Sequence, residues 1–248
     1  MTQVLLQQLP DERTNAKPLV HSLPATSRRP VRVVIAGECN SGKTWLANGL
    51  LGSQVLPTSF VTRTGLPTVV EFGASSRLVL ERHDGSRVAT TWEDAESGVS
   101  RGRRLYCRLP SARLKGFRLV DTPGLGDGDE GKLRRTRSLC RTADLVIWCT
   151  SALQAWKASE LGFWLSLPPA VRDKGVLVLT FADMLRQDQD ATRVLARLQS
   201  EAGLHFQKIV VPAQLPELLA LAGSERTGRF PQERAAVASS LSPAYVGA

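Results

Sequence analysis

The sequence predicts an α/β fold with a mostly parallel central sheet and helices on both faces. Three observations predict it. Apolar runs of strand length alternate with helical patterns along most of the chain. The first such run, residues 31–36 (Val-Arg-Val-Val-Ile-Ala), leads directly into a glycine-bounded loop and then a helical pattern. Hydrophobic residues make up 42% and charged residues 22% of the 248 positions, an ordinary globular balance that supplies one sizeable core.

The elements follow in order. Residues 1–30 carry four prolines and weak apolar periodicity, so an extension with a short helix at 2–8 and a linker is expected. A buried strand over 31–36 is followed by a helix over 45–51, which Gly52 stops. Strands are predicted at 68–72, 77–81 and 87–91, the last two joined by the turn His83-Asp84-Gly85-Ser86. Two more lie at 104–109 and 117–120. Buried-strand runs at 144–149, 175–180 and 208–211 alternate with helices at 131–141, 159–166, 190–202 and 216–222. From Gly223 the chain is rich in Ser, Ala, Gly and Pro, which predicts a mobile tail with a short helix near 232–240. One domain over 31–222 is the expected organisation, and no internal repeat is present.

Lys and Arg number 32 against 23 Asp and Glu, a net charge of +9. Such a balance fits either an acidic partner or a plain solvated surface. Arg101, Arg103 and Arg104 form one cluster. Lys132, Arg134, Arg135, Arg137 and Arg141 form another, with Arg134, Arg137 and Arg141 on one helical face. No aromatics interleave with these charges, so nucleic acid is disfavoured. Trp148, Trp156 and Trp164 read as packing residues. The four cysteines lack C-x-x-C spacing and there are three histidines, which excludes a zinc finger and points to free thiols in a reducing compartment. No basic-then-apolar leader opens the chain, and the longest uncharged apolar stretch, 145–156, is too short for a bilayer. A cytoplasmic location, or one peripheral to the inner face of the membrane, is expected.

Gly37-Glu38-Cys39-Asn40-Ser41-Gly42-Lys43-Thr44 fits the G-x-x-x-x-G-K-[ST] pattern. Such a loop points successive backbone N–H groups at a polyphosphate, and the following helix adds the positive end of its dipole. Lys43 supplies a point charge for the β- and γ-phosphates, and the Thr44 hydroxyl is a Mg²⁺ ligand. The loop alone leaves ATP, GTP and a kinase acceptor open. Asp121-Thr122-Pro123-Gly124 follows a predicted strand, where Asp121 can hold a water on the metal and the Gly124 N–H can meet a γ-phosphate. Thr180-Phe181-Ala182-Asp183 ends another strand. Asp183 there can accept two hydrogen bonds from guanine, which adenine cannot donate.

The order of these motifs resembles the GTPase domain of the dynamin superfamily, especially the bacterial dynamin-like proteins. The likeness rests on Gly37-Glu38, Asn40-Ser41-Gly42-Lys43-Thr44, Leu46-x-Asn48-x-Leu50-Leu51-Gly52, Leu56-Pro57, Thr64 and Pro67-Thr68. It continues through Leu109-Pro110-Ser111, Leu114-Lys115-Gly116, the run into Asp121–Leu125, Ala143-Asp144 and Ser159-Glu160. It covers about 31–221. The resemblance implies a P-loop GTPase fold binding GTP or GDP with Mg²⁺. Residues 37–44, Asp121, Gly124, Thr180 and Asp183 would contact nucleotide. Thr44, Thr64 and Asp121 would serve the metal. Lys43, Thr64 and Gly124 would serve catalysis, with Thr62 and Thr58 as substitutes for Thr64. A homodimer, a heteromeric dynamin-like partner and peripheral contact with an anionic membrane are also implied.

Several departures from the family's pattern qualify this. Phe181 stands where the guanine motif has Lys. Leu125 and Cys39 stand where other GTPases carry a water-positioning Gln, so slow intrinsic turnover is expected. The loop near Pro212-Ala213-Gln214 lacks the usual Ser. The 26 residues after Ala222 are too few for a stalk. A switch with negligible hydrolysis and a basic ribosome-associated GTPase are the alternatives.

Overall fold

The computed structural model of the chain describes residues 29–58, 65–97, 102–126, 128–185 and 188–214. Thr62 and Thr64, residues 1–28 with the helix expected at 2–8, and residues 215–248 with those expected at 216–222 and 232–240 lie outside them.

Among the described residues nine strands form one sheet: β1 (Val31–Gly37), β2 (Thr68–Phe72), β3 (Arg77–Arg82), β4 (Arg87–Ala89), β5 (Gly102–Leu109), β6 (Phe117–Asp121), β7 (Leu145–Ser151), β8 (Gly175–Thr180) and β9 (Lys208–Val210). Their spatial order is β4-β3-β5-β2-β6-β1-β7-β8-β9. The five from β6 to β9 are mutually parallel. β2 runs antiparallel to β6, β5 parallel to β2, and β3 and β4 close the other edge as an antiparallel hairpin.

The helices are α1 (Lys43–Leu51), α2 (Trp92–Ser97), α3 (Glu130–Arg141), α4 (Ala158–Leu165), α5 (Pro169–Arg172) and α6 (Asp188–Ala202). α2 and α5 are short additions to the predicted set; six and four residues are too few for helical periodicity to register. β5 begins two residues earlier than expected, at Gly102, where a bulge shifts the register against Arg82. β4 stops at Ala89 because Thr91 turns the chain, its hydroxyl accepting from Asp94 N at 3.1 Å.

Alternation along the buried strands divides the core. Val34, Ala36, Val146, Trp148, Leu177 and Leu179 face α3, α4 and α6. Val33, Ile35, Ile147, Val176 and Val178 face the side where Leu46, Ala47 and Leu51 of α1 pack. Trp148 and Trp164 are fully buried, with Phe206 stacked on Trp164 at 4.3 Å, so these tryptophans pack the core as expected. β1 sits between β6 and β7, so the chain reverses its direction of travel through the sheet at β1. In open α/β sheets this switch point, at the carboxyl ends of the strands, is where ligands bind. The motifs at 37–44, 121–124, 180–183 and 212–214 lie at or just past the carboxyl ends of β1, β6, β8 and β9.

Candidate nucleotide site

The phosphate loop leaves β1 at Gly37 and enters α1 at Lys43. Asn40 and Gly42 take positive φ, 60° and 76°. Gly42 is the tighter case: a Cβ there would lie 3.1 Å from the Phe181 ring and 3.2 Å from Thr180 Cβ, on a backbone that L side chains avoid. The loop is tied to β8 from below, with Thr180 Oγ1 2.9 Å from the Ser41 carbonyl and 3.1 Å from that of Thr150. The Thr180 hydroxyl is thus buried in the scaffold and supports the loop. Lys43 is buried; its ammonium donates to the Glu38 carbonyl and lies 3.3 Å from Ser41 Oγ, folded across its own loop.

The strand end carrying Asp121 is clasped to this loop. Thr44 Oγ1 donates to Asp121 Oδ2 at 2.7 Å. Cys39 N donates to the Leu125 carbonyl at 2.7 Å, and Leu125 N to the Gly37 carbonyl at 3.2 Å. Between these bonds Gly124 presses on the loop. A Cβ on it would lie 2.7 Å from Cys39 Cα and 2.8 Å from its Sγ, so only glycine lets the two segments meet. Thr122 Oγ1 donates to the Ile35 carbonyl at 2.9 Å and fixes the turn.

Asp121 Oδ1 is buried without a hydrogen-bond partner, an unusual state for a carboxylate oxygen. Burial pushes its pKa up from 3.8 to about 6, against the lowering influence of Thr44 and Lys43. A hydroxyl beside a carboxylate with one unused oxygen is a hard-oxygen donor set. It fits Mg²⁺, which keeps most of its waters and takes few protein ligands. No cluster of three or more His, Cys, Asp or Glu suited to a metal occurs among the described residues. A metal here would therefore lean on phosphate oxygens and water.

The segment expected to meet the base follows β8. Phe181 adopts φ 56° and starts the short turn Ala182–Met184. Its ring lies against Gly42 and 6.3 Å from Trp45, which follows Thr44 in α1. Asp183 is exposed. The Pro212–Gln214 loop forms a single turn in which the Gln214 side chain accepts from Val211 N at 3.1 Å.

Two contacts of the site were invisible in the sequence. The Glu38 side chain turns away from the phosphate cradle; it accepts from Lys157 Nζ at 2.8 Å and from the Ser159 hydroxyl, leaving only its backbone to face phosphate. Behind it, buried Glu160 accepts from Trp148 Nε1, Thr150 Oγ1 and Lys157 N at 2.9, 3.1 and 2.9 Å. Burial raises the Glu160 pKa. The Glu38 bonds join the phosphate loop to α4 across 119 and 121 residues, and no spacing signal marks them. The basic clusters are less free than their sequence implies. Arg137 lies 5.4 Å over the Phe163 ring and bonds Ser166 Oγ, while Arg103 and Arg104 approach Glu81; Arg101 is outside the described residues.

A glycine-bounded loop from a central parallel strand into a helix, clasped to an Asp-Thr-Pro-Gly turn on the neighbouring strand, defines a P-loop nucleotide-binding domain of the GTPase type. Residues 33–180 match the dynamin family, and the chain belongs to it, carrying that family's GTPase domain. The chain is 33% identical over 150 residues to dynamin-like protein 2 of Campylobacter jejuni, covering 58% of this chain and 24% of that protein. It is 29% identical over 167 residues to a probable transmembrane GTPase, FZO-like and chloroplastic, of Arabidopsis thaliana, covering 67% and 17%. This chain thus spans about a quarter or less of those relatives. Among solved structures, a bacterial dynamin from an oligomerised pair superimposes with a TM-score of 0.58 at 22% identity, over 83% of this chain and 35% of that one. That likeness is one of fold. No helix among the described residues is long and apolar enough to cross a membrane.

Proposed function

We propose that the domain binds GTP with Mg²⁺ and hydrolyses it to GDP and phosphate, acting as a nucleotide-dependent switch. Water attacks the γ-phosphorus, the bond to the β–γ bridging oxygen breaks, and that oxygen leaves on GDP. The backbone N–H groups of residues 37–44 cradle the phosphates. Lys43, once a phosphate oxygen replaces the Glu38 carbonyl, stabilises the charge that develops on the transferring group. Thr44 and Asp121 would hold the metal, and Thr64 would complete the set by resemblance. A bound Mg²⁺ would supply charge neutralisation to the phosphate oxygens. Asp183 selects guanine and Phe181 lends its ring to the base side.

The single observation that carries this reading is the clasp between loop and turn: Thr44 to Asp121, and Cys39 N to Leu125 O, with Gly124 pressed between. A γ-phosphate arriving at the Gly124 N–H must disturb that clasp, so its loss on hydrolysis is mechanically legible to α3 just beyond. A second reading, a switch with negligible unaided turnover, is favoured by one further observation. Leu125 is buried and Cys39 packs on Gly124, so neither offers a polar group to orient the attacking water. Turnover then depends on a partner that adds charge in trans. The bacterial dynamin of similar fold belongs to an oligomerised pair that provides a mechanism for long-range sensing and tethering of membranes. That supports both a dynamin-like partner and peripheral membrane contact for this domain.

The test is phosphate release from GTP and ATP across protein concentrations, with Lys43→Ala as control. GTP-only release that disappears in the variant supports the hydrolase. Activity rising with concentration supports activation by self-association. Release no greater than that of the variant rejects the self-sufficient hydrolase in favour of the partner-dependent switch.

A further inference from the structure

The sheet half running from β1 through β6, β2 and β5 to β3 carries a row of charge on the α3 side. Strand register sets Arg32 beside Arg118, Arg118 beside Glu71, Glu71 beside Arg108, and Arg104 beside Glu81. Arg118 and Arg108 both pair with Glu71, at 2.8 and 3.0 Å. Arg87, Arg104 and Arg103 converge on Glu81, at 3.0, 3.6 and 3.9 Å. Five arginines therefore share two carboxylates. A sixth, Arg32, has no ion pair among the described residues. Burial, and then the Arg104 and Arg118 guanidiniums, hold it below the usual arginine pKa. The Nε atoms of Arg32 and Arg118 are buried without a hydrogen-bond acceptor, and that of Arg104 reaches Glu81 only as the 3.6 Å ion pair.

The face is nonetheless open to solvent: the side chains of Arg87, Arg108 and Arg118 are 51%, 45% and 41% exposed. Half-buried guanidiniums that repel one another and outnumber the carboxylates between them leave an uncompensated positive charge on this face. We propose that this face, centred on Arg32, Arg104 and Arg118, docks an acidic segment of a partner protein, whose carboxylates balance the excess of guanidiniums. Charge complementarity fixes the sign of the partner. Recession fixes its class. Arg104 is only 21% exposed, sunk among the strands. A planar guanidinium fork in that position is met by a discrete carboxylate that can enter, and binds it bidentately. A flat anionic lipid surface is reached instead by basic groups that protrude.

The test uses fluorescence anisotropy of a labelled helical peptide with Glu at every fourth position, at near-physiological salt. The expected result is saturable binding that weakens about tenfold or more in the double variant Arg32→Ala with Arg118→Ala. A charge-matched control, Arg134→Ala with Arg141→Ala on the exposed side of α3, should change affinity less than about twofold. Nucleotide affinity should be unchanged in both, which separates this surface from the GTP reading. If the double alanine variant does not fold, Arg32→Lys keeps the charge and loses the fork, and should weaken binding several-fold. Equal losses in both pairs would reduce the effect to bulk charge and overturn the proposal. So would the absence of saturable binding. Binding to phosphatidylglycerol vesicles that the Arg32 and Arg118 substitutions abolish, with none to the peptide, would reassign the face to lipid.

Discussion

Asp121→Asn should stabilise the nucleotide-free protein in a pH-dependent way while removing its proposed metal function. Burial raises the folded-state pKa of Asp121 to about 6 from 3.8. Linkage sets the sign. Below 3.8 the group is neutral in both states and costs nothing. Between 3.8 and about 6 the unfolded chain ionises first, and folding increasingly opposes ionisation. Above about 6 the full penalty is present, so the carboxylate destabilises the apo protein as pH rises. At about 1.36 kcal/mol per pKa unit the penalty approaches about 3 kcal/mol. Between about pH 4.5 and about pH 8 it should grow by about 2 kcal/mol. Asparagine removes this dependence. It also sets a buried amide where Oδ1 lacks a partner, but that cost is constant with pH and cancels in the comparison. Urea denaturation of both proteins at the two pH values gives the difference directly, and the gain at high pH amounts to roughly 4–8 °C in Tm. Magnesium-dependent nucleotide affinity should fall at least about tenfold in the same variant, and in the native protein should weaken below about pH 6. A stability difference between the two proteins that does not change with pH would refute the reasoning, since it would mean that Asp121 folds without an ionisation penalty.

Other expectations follow from the same contacts. Gly124→Ala drives a methyl group into Cys39 Cα, so it should open the clasp and cost about 1–3 kcal/mol, with nucleotide affinity lowered; thermal denaturation and equilibrium binding check it. Glu160→Ala leaves two buried donors, Trp148 Nε1 and Thr150 Oγ1, and the part-buried Lys157 N without an acceptor and should cost about 3–5 kcal/mol by denaturant titration, whereas Glu160→Gln should cost less because it keeps one carbonyl oxygen. Asp183→Ala, at an exposed position, should leave Tm within about 1 °C while lowering GTP affinity about a hundredfold and ATP affinity little; competition binding measures the ratio.

The sequence by itself determined the strand and helix order around the site and the identity of the phosphate loop. Both are written locally. Buried parallel strands are continuous apolar runs, and the loop needs its glycines and Lys43-Thr44 at fixed offsets along one stretch of chain. The positions of Asp121 and Asp183 at or just past strand ends were legible for the same reason, since each closes such a run. The tertiary structure alone decided which side chains serve the loop rather than a ligand. The Thr180 hydroxyl is taken up by the Ser41 carbonyl, and the Glu38 carboxylate by Lys157 and Ser159, because β8 and α4 arrive beside the loop only once the sheet has formed. The orphaned oxygen of Asp121 is likewise a property of packing. The row of arginines was scattered in sequence across β1, β4, β5 and β6. Only strand register, which sets every second residue on one face and aligns neighbours at about 4.8 Å, gathers them onto one surface with too few carboxylates.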